Sequence, residues 1–178
     1  RPLPPQWAAY SPAWSIVCAV LARRSLLGAE EGHRGVSISI EPWPLLERLL
    51  ERSLESVAQR NRAVGRPLNA GSQMPLKLLD QIPGSGAYGP HYVYPDGSLS
   101  ENGAVLATFE AKYRDYSPSV GPLRQEVYQA LAAARAAGAP VAVLIYPGSF
   151  PTAEWIVEQP GGSPVRLHAV GLEMFSYT

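Results

Sequence analysis

The sequence predicts an α/β fold in which helices flank a mixed central sheet. Two observations carry this prediction. Apolar residues recur at helical spacing in three stretches, and strongly apolar or alternating runs of strand length lie between and after them. That order is typical of a layered α/β domain. At 178 residues, with 46% hydrophobic and 17% charged residues, the chain is long and apolar enough to bury a core.

The N-terminal part is predicted to stand apart from the core. Residues 1–10 are rich in proline and form a linker or arm, and a first helix follows over Ser11–Leu27, with Ser11 and Pro12 at its start. We therefore assign residues 1–34 to an N-terminal arm and helix, and residues 35–178 to the core. The core is expected to begin with a short strand at Val36–Ile40.

Two further helices are predicted within the core. One begins at Glu41 and ends near Arg62, and an acidic line of Glu47, Glu51 and Glu55 runs beside its apolar stripe. The other spans Pro118–Gly138, where Gly138 suits a helix C-cap. The apolar stripes consist of Leu45, Leu46, Leu49, Leu50 and Leu54 in the first, and of Val120, Leu123, Val127, Leu131 and Ala134 in the second.

The predicted strands differ in how apolar they are. Ala104–Phe109 and Val141–Tyr146 are almost entirely apolar, so both should lie inside the sheet, the second covered on both faces. Met74–Ile82 is a weaker candidate. The segments Glu154–Glu158 and Val165–Val170 are expected to be outer strands.

Three ionisable residues around the first apolar strand form a candidate site. Asp96 follows Pro95, and Glu110 and Lys112 follow Phe109 with one residue between them. Side chains alternate faces along a strand, so Glu110 and Lys112 should point the same way. The Asp96-Gly97 and Asn102-Gly103 steps favour hairpin turns, and a hairpin would bring Asp96 beside Glu110.

This grouping has a chemical use. Neighbouring carboxylates repel each other unless a cation lies between them, and Mg2+ binds carboxylates together with water and substrate phosphate. Such an ion activates water, and a lysine can neutralise the phosphate oxygens, so the residues predict metal-assisted hydrolysis of a phosphodiester. A solvated salt-bridge face is the alternative that spacing alone leaves open.

Composition narrows the classes of function. The formal net charge is zero, which argues against a free-standing nucleic-acid-binding protein but allows a local basic patch. The single Cys18 excludes an internal disulfide, and the three histidines show no zinc spacing. No apolar run reaches membrane-spanning length, so we expect a cytoplasmic protein without membrane contact. Residues 60–87 contain the most basic stretch, where phosphate contacts are one option and a solvated loop the other.

The same residues carry a resemblance. Pro95-Asp96 with Glu110-Ala111-Lys112 resembles the signature of the PD-(D/E)XK nuclease superfamily, and the chain is most similar within it to the C-terminal catalytic domain of McrC. Two further stretches support this in the same order along the chain. One is the run from Gly35 into the helix that carries Glu47, and the other is Tyr128-Gln129 followed by the strand Val141–Pro147.

The resemblance implies a restriction-endonuclease-like core and roles for particular residues. Asp96 and Glu110 would bind Mg2+ or, in its place, Mn2+, and Glu47 would lie near the metal. Lys112 and Gln129 would join Asp96 and Glu110 as catalytic residues. Two positions depart from the pattern, since Leu46 replaces a common aromatic residue and Ala133 replaces a usual tyrosine. The candidate DNA contacts are Arg62, Arg66, Lys77 and Arg114.

The resemblance also implies partners. McrC proteins work with McrB, an AAA+ GTPase, so the expected function is that of a DNA endonuclease subunit in a modification-dependent restriction system, acting on double-stranded DNA. The chain has no Walker A motif, so a motor would be another subunit. A homodimer of nuclease domains stays open. The alternatives are an inactive nuclease fold kept as an assembly or DNA-binding module, and a repair or junction nuclease with the same fold.

Overall fold

The structure, a computed structural model, describes Trp14, Val17 and residues 43–86, 89–158 and 162–173. The chain divides into two units, Arg1–Ile40 and Glu41–Thr178. Trp14 and Val17 are helical. The rest of the predicted first helix and the predicted strand at residues 36–40 lie outside the described residues, and the division at residue 34 stays a prediction. No helix in the described part of the chain is long and apolar enough to cross a membrane.

The described residues of the second unit form two helices and eight strands. These are α1 (Trp43–Ala63), β1 (Leu68–Gly71), β2 (Leu76–Leu79), β3 (His91–Val93), β4 (Gly97–Glu101), β5 (Ala104–Ala111), α2 (Arg124–Ala137), β6 (Val141–Pro147), β7 (Ala153–Val157) and β8 (Val165–Leu172).

Six of these strands form one mixed sheet in the order β1-β4-β5-β6-β8-β7, and β2 pairs with β3 in a separate ribbon. The pairs β5–β6 and β6–β8 are parallel, and the other pairs in the sheet are antiparallel. The predicted mixed sheet is therefore confirmed. The prediction that residues 165–170 form an outer strand is wrong, because β8 lies between β6 and β7 and buries Val165, Leu167 and Ala169.

The central strand β6 shows why helices cover both faces of the sheet. Ala142, Leu144 and Tyr146 pack into a cluster that includes Ala130 and Ala134 of α2. The alternate residues of β6, Val143 and Ile145, pack against leucines of α1. Because neighbouring side chains of a strand point to opposite faces, one apolar strand contributes to two hydrophobic layers. The prediction for Val141–Tyr146 is confirmed.

Helix α1 presents one row of residues to the sheet. Leu46, Leu50, Leu54 and Ala58 are buried at four-residue spacing, as ridge packing of a helix requires. Leu45, which the sequence placed in the apolar stripe, is 51% exposed. That assignment was wrong, because Leu45 lies one residue before the buried row and is therefore rotated about 100° from its face.

Helix α2 begins later than predicted. It starts at Arg124 and not at Pro118, and both Val120 and Leu123 are exposed. A turn occupies the start of the predicted segment, where the amide of Gly121 donates to the carbonyl of Ser117 at 2.8 Å and Gly121 has a φ of 75°. Pro122 follows, and a residue before proline is disfavoured in a helix. Gly138 is the left-handed C-cap that the sequence predicted.

The β4–β5 hairpin positions the candidate site. Its turn is Asn102-Gly103, where both residues have positive φ angles of 51° and 82°, as a type I′ turn requires. The Asp96-Gly97 step was also predicted to turn, but Gly97 is the first residue of β4. Gly97 is needed there for another reason, since a Cβ atom would collide with the Leu54 side chain of α1. Pairing of Gly97 with Phe109 leaves Asp96 opposite Glu110.

Candidate functional site

The two predicted carboxylates meet at the open end of the hairpin. The backbone amide of Ala111 donates a hydrogen bond of 2.7 Å to Oδ2 of Asp96. This bond fixes the Asp96 carboxylate against the end of β5, where the neighbouring Glu110 is only 2% exposed. The sequence prediction that the hairpin would bring Asp96 beside Glu110 is confirmed in its geometry.

Lys112, the first residue after β5, completes the grouping. Its Nζ lies 3.1 Å from Oε2 of Glu110, and it donates a second hydrogen bond of 2.8 Å to Oε1 of Gln129 on α2. The backbone amide of Lys112 donates to the carbonyl of Ile145 at 2.8 Å, which holds this segment against β6. The Lys112 ammonium group is thus held by Glu110 of β5 and Gln129 of α2. Glu110 and Lys112 share a face, as predicted.

Glu47 approaches the same place from α1. Burial raises the pKa of Glu47, repulsion by Asp96 raises it further, and attraction by Lys112 lowers it in part. Glu47 and Asp96 both line a depression of about 350 Å³. Glu51 lines the same depression. Glu47 and Glu51 are one helical turn apart and therefore share a side of α1.

We call Glu47, Asp96, Glu110 and Lys112 the acidic centre, because three carboxylates face one ammonium group. Burial raises the pKa of Glu110 to about 7, against a lowering by Lys112 and with further raising by Asp96 and Glu47. The pKa of Asp96 is also raised by burial, although the Ala111 amide and Lys112 act to lower it. Negative charge is therefore concentrated where water is scarce, which is the condition that a bound cation relieves.

The oxygen donors suit a magnesium ion. Among the described residues, no group of three His, Cys, Asp or Glu side chains is arranged to hold a metal. Mg2+ needs fewer protein ligands, because it is commonly held by one or two carboxylates and keeps several waters. Asp96 and Glu110 each use one carboxylate oxygen in the hydrogen bonds above, which leaves Oδ1 and Oε1 for an ion. On this chemistry Asp96 and Glu110 fit the metal, and ligation by Glu47 stays a prediction.

The predicted DNA contacts are mostly engaged in ion pairs. Arg66 pairs with Glu101 at 3.2 Å and Lys77 with Asp80 at 2.6 Å. Arg114 binds Glu126 through two hydrogen bonds of 2.7 Å. Arg62 lies exposed in the last turn of α1, and its side chain makes no ion pair with a described residue. Of these four residues, Arg114 lies nearest in sequence to the acidic centre, two residues after Lys112. A role in DNA contact stays a prediction for all four.

A second buried charge cluster was not predicted. Glu126 of α2 is 8% exposed and accepts hydrogen bonds from the Arg114 guanidinium, the Tyr146 hydroxyl at 2.7 Å and the amide of Leu123 at 2.8 Å. The Arg114 guanidinium also lies 5.1 Å from the Tyr146 ring centre. We call these four residues the Glu126 network. One sequence signal could have indicated it, since a tyrosine inside a central strand needs a hydrogen-bond partner.

Comparison with known proteins gives a likeness at the level of structure. No protein-family model matches the sequence, and no curated protein matches it. The chain is similar to a chain of the refined half-complex from the tetradecameric assembly of Thermococcus gammatolerans McrB AAA+ hexamers with bound McrC. The identity is 21%, the TM-score is 0.48, and the match covers 76% of this chain but only 28% of that one. A likeness at this level does not decide the chemistry, which depends on this chain's own residues.

Proposed function

We propose that the acidic centre is the site of a divalent-metal-dependent endonuclease that hydrolyses phosphodiester bonds of DNA. The observation that carries this proposal is the convergence of Asp96, Glu110 and Lys112 on one buried, negatively charged spot. An ordinary surface salt bridge does not bury two carboxylates beside one ammonium group, because uncompensated buried charge is costly. Perturbed, mutually coupled ionisable groups of this kind mark functional sites.

Each residue of the acidic centre, together with Gln129, has its own role in the proposed reaction. Asp96 and Glu110 would hold Mg2+ or Mn2+, and the bound ion supplies an activated water and charge stabilisation at the phosphate. Lys112 has its ammonium group fixed by Glu110 and Gln129, so it is already placed to stabilise negative charge that develops on a phosphate oxygen. Gln129 positions Lys112, and Glu47 extends the negative field toward the depression.

A partner subunit belongs to the same proposal. Support comes from the ordered motifs that resemble McrC and from the formal net charge of zero, which offers little long-range attraction to DNA. We propose that a McrB-like AAA+ GTPase delivers double-stranded DNA to this centre, as in modification-dependent restriction systems. Cleavage by the chain alone should then be slow and should increase when the partner and its nucleotide are added.

The test is cleavage of supercoiled plasmid with Mg2+ or Mn2+ by the wild type, Lys112→Ala and Arg166→Ala, each alone and with the partner GTPase. Arg166 is the control, because it is an exposed cation of β8 that pairs with Val141 at the start of β6, the opposite end of that strand from the acidic centre. We expect Lys112→Ala to cut about 100 to 1,000 times more slowly, as for loss of one preorganised charge-stabilising group. Arg166→Ala should cut like the wild type.

Thermal unfolding of the same variants must show that Lys112→Ala is folded. If folded Lys112→Ala cleaves as fast as the wild type in every condition, the acidic centre is not a nuclease site. The chain would then be better described as an inactive nuclease fold that serves as an assembly or DNA-binding module.

A further inference from the structure

Exposed tyrosines lie in the chain segments that form the acidic centre. The structure describes six tyrosines, and two of them, Tyr116 and Tyr146, pack together with ring centres 4.8 Å apart. The other four expose large fractions of their surface, from 47% to 63%. These are Tyr92, Tyr94, Tyr113 and Tyr128. Contiguous exposed apolar side chains mark binding surfaces, whereas scattered ones do not, so the location of these tyrosines decides what they indicate.

Three of these tyrosines are chain neighbours of the candidate catalytic residues. Tyr94 lies two residues before Asp96, Tyr113 directly follows Lys112, and Tyr128 directly precedes Gln129. The three segments meet, because Asp96 accepts a hydrogen bond from the amide of Ala111 and Lys112 donates one to Gln129. Each ring is therefore attached to backbone that borders the acidic centre.

These rings have no partner within the described part of the chain. The side chains of Tyr94, Tyr113 and Tyr128 form no hydrogen bond, ion pair or ring contact with another described residue. The exposed aromatic ring of β7, on the far edge of the sheet, provides a contrast within the same fold. There Trp155 is 38% exposed, and β8 and β6 separate its strand from β5.

The charged groups near the centre are committed to each other. Lys112 pairs with Glu110, Arg114 with Glu126 and Arg48 with Glu51. A duplex is gripped mainly through its phosphates by available cations, and its bases present only their edges. An unpaired base presents a flat face that stacks on an aromatic ring, and this contact tolerates any sequence. Paired cations weaken the attraction to phosphates of either form of DNA, but the exposed rings offer a stacking contact that only unpaired bases can use.

We propose that Tyr94, Tyr113 and Tyr128 form a stacking surface that holds a DNA strand with unpaired bases at the cleavage point. This inference rests on the proposed nuclease function and defines its substrate: DNA that reaches the centre as a single strand, or as a duplex whose strands have been separated. The double-stranded DNA that the proposed partner delivers would be opened locally at the centre, where its bases become available for stacking.

Binding without cleavage tests this proposal. Fluorescence anisotropy in EDTA compares a labelled oligothymidine of about 20 nucleotides with a hairpin duplex of equal nucleotide number. The variants are the triple substitution Tyr94→Ala/Tyr113→Ala/Tyr128→Ala, the corresponding triple change to Phe, and the control Trp155→Ala. We expect the wild type to prefer the oligothymidine at least about tenfold, since stacking of one base typically changes affinity by at least about fivefold.

The triple alanine variant should lose this preference, and the phenylalanine variant and Trp155→Ala should keep it. The proposal is overturned if the wild type binds duplex as tightly as oligothymidine, or if the alanine variant, shown by thermal unfolding to be folded, retains the preference. Failure of the proposed nuclease function would appear separately, as equal plasmid cleavage by Lys112→Ala and wild type, because the binding assay needs neither metal nor catalysis.

Discussion

Two buried charge clusters lie at the same end of the sheet, and they differ in balance. The Glu126 network matches one carboxylate to one guanidinium and adds the Tyr146 hydroxyl and the Leu123 amide. The acidic centre sets three carboxylates against one ammonium group. Both clusters draw on the segment after β5, since Lys112 belongs to one and Arg114 to the other. Neighbouring residues of one loop thus serve two electrostatic environments.

The pKa shifts of two glutamates express this difference. Burial acts to raise the pKa of Glu126, but the hydrogen bonds from Arg114, Tyr146 and Leu123 outweigh it, and the net pKa is lowered. Burial raises the pKa of Glu110 to about 7. Lys112 lowers this pKa only in part, because Asp96 and Glu47 raise it further. A satisfied ion pair stabilises the fold, whereas an unsatisfied carboxylate cluster lowers stability and so indicates a functional role.

The largest expected effect is the loss of stability when Glu126 is removed from the Glu126 network. Glu126→Ala should lower the free energy of unfolding by about 3 kcal/mol, because it removes the acceptor of the partly buried Arg114 guanidinium, the Tyr146 hydroxyl and the Leu123 amide. Urea denaturation measures this, with Glu154→Ala as the control because Glu154 is 65% exposed and pairs only with His168. A loss below about 1 kcal/mol for Glu126→Ala would show that the network does not stabilise the fold.

A divalent cation should stabilise the folded chain by binding at the acidic centre and not at the Glu126 network. At a concentration one hundred times its Kd, Mg2+ should raise the free energy of unfolding by about 2.7 kcal/mol, since the folded chain alone forms the site. Asp96→Asn and Glu110→Gln should each abolish this gain. Asp80→Asn, which alters an exposed carboxylate paired with Lys77, should retain it.

Unfolding at matched ionic strength, with sodium chloride replacing magnesium chloride, separates specific binding from screening. Equal stabilisation of the wild type and Asp96→Asn by Mg2+ would remove Asp96 from the set of metal ligands. Equal stabilisation of Glu126→Gln and the wild type is expected, because the Glu126 network has no part in holding the ion.

The sequence predicted the acidic centre better than the Glu126 network for a physical reason. Asp96, Glu110 and Lys112 lie within one hairpin, so strand alternation and a short turn determine their proximity. Glu126 and Tyr146 are twenty residues apart and meet only after α2 crosses over the sheet to β6. No local pattern specifies that contact. The catalytic and metal-binding roles of the centre stay predictions, because geometry alone does not test them.

Other differences have the same origin. Strand β8 alternates buried residues with Arg166 and His168, a pattern that resembles an outer strand, yet the parallel pairing with β6 places it inside the sheet. The late start of α2 follows from Gly121 and Pro122, whose local preferences override the apolar spacing around them. Periodicity identified the elements, whereas strand order and helix boundaries depended on tertiary packing and on turn residues.

Removing one negative charge from the acidic centre should raise the free energy of unfolding, whereas weakening the Arg114–Glu126 ion pair should lower it. In EDTA at about pH 8, Glu110→Gln should raise the free energy of unfolding by on the order of 1 kcal/mol, because an acid with a raised folded pKa destabilises the fold once it is ionised. The amide keeps an acceptor for Lys112 and relieves repulsion by Asp96 and Glu47. The matched change Glu126→Gln should lower stability, and a loss of similar size in both variants would contradict the contrast between the clusters.

The smallest expected effect is the pH dependence of the Glu126 network. Because the folded pKa of Glu126 lies below its ordinary value of 4.5, the folded state binds fewer protons there than the unfolded chain. The stability that Glu126 contributes should therefore be fully present above pH 4.5 and be lost as the pH falls through the folded pKa. The difference in unfolding free energy between wild type and Glu126→Gln, measured in urea at a series of pH values, isolates this contribution, since titrations shared by both proteins cancel. It should be constant from about pH 5 to 8 and decrease by on the order of 1 kcal/mol or less at lower pH. A difference that instead grows below pH 4.5 would mean that Glu126 is protonated more easily in the folded protein, and the two clusters would then be alike.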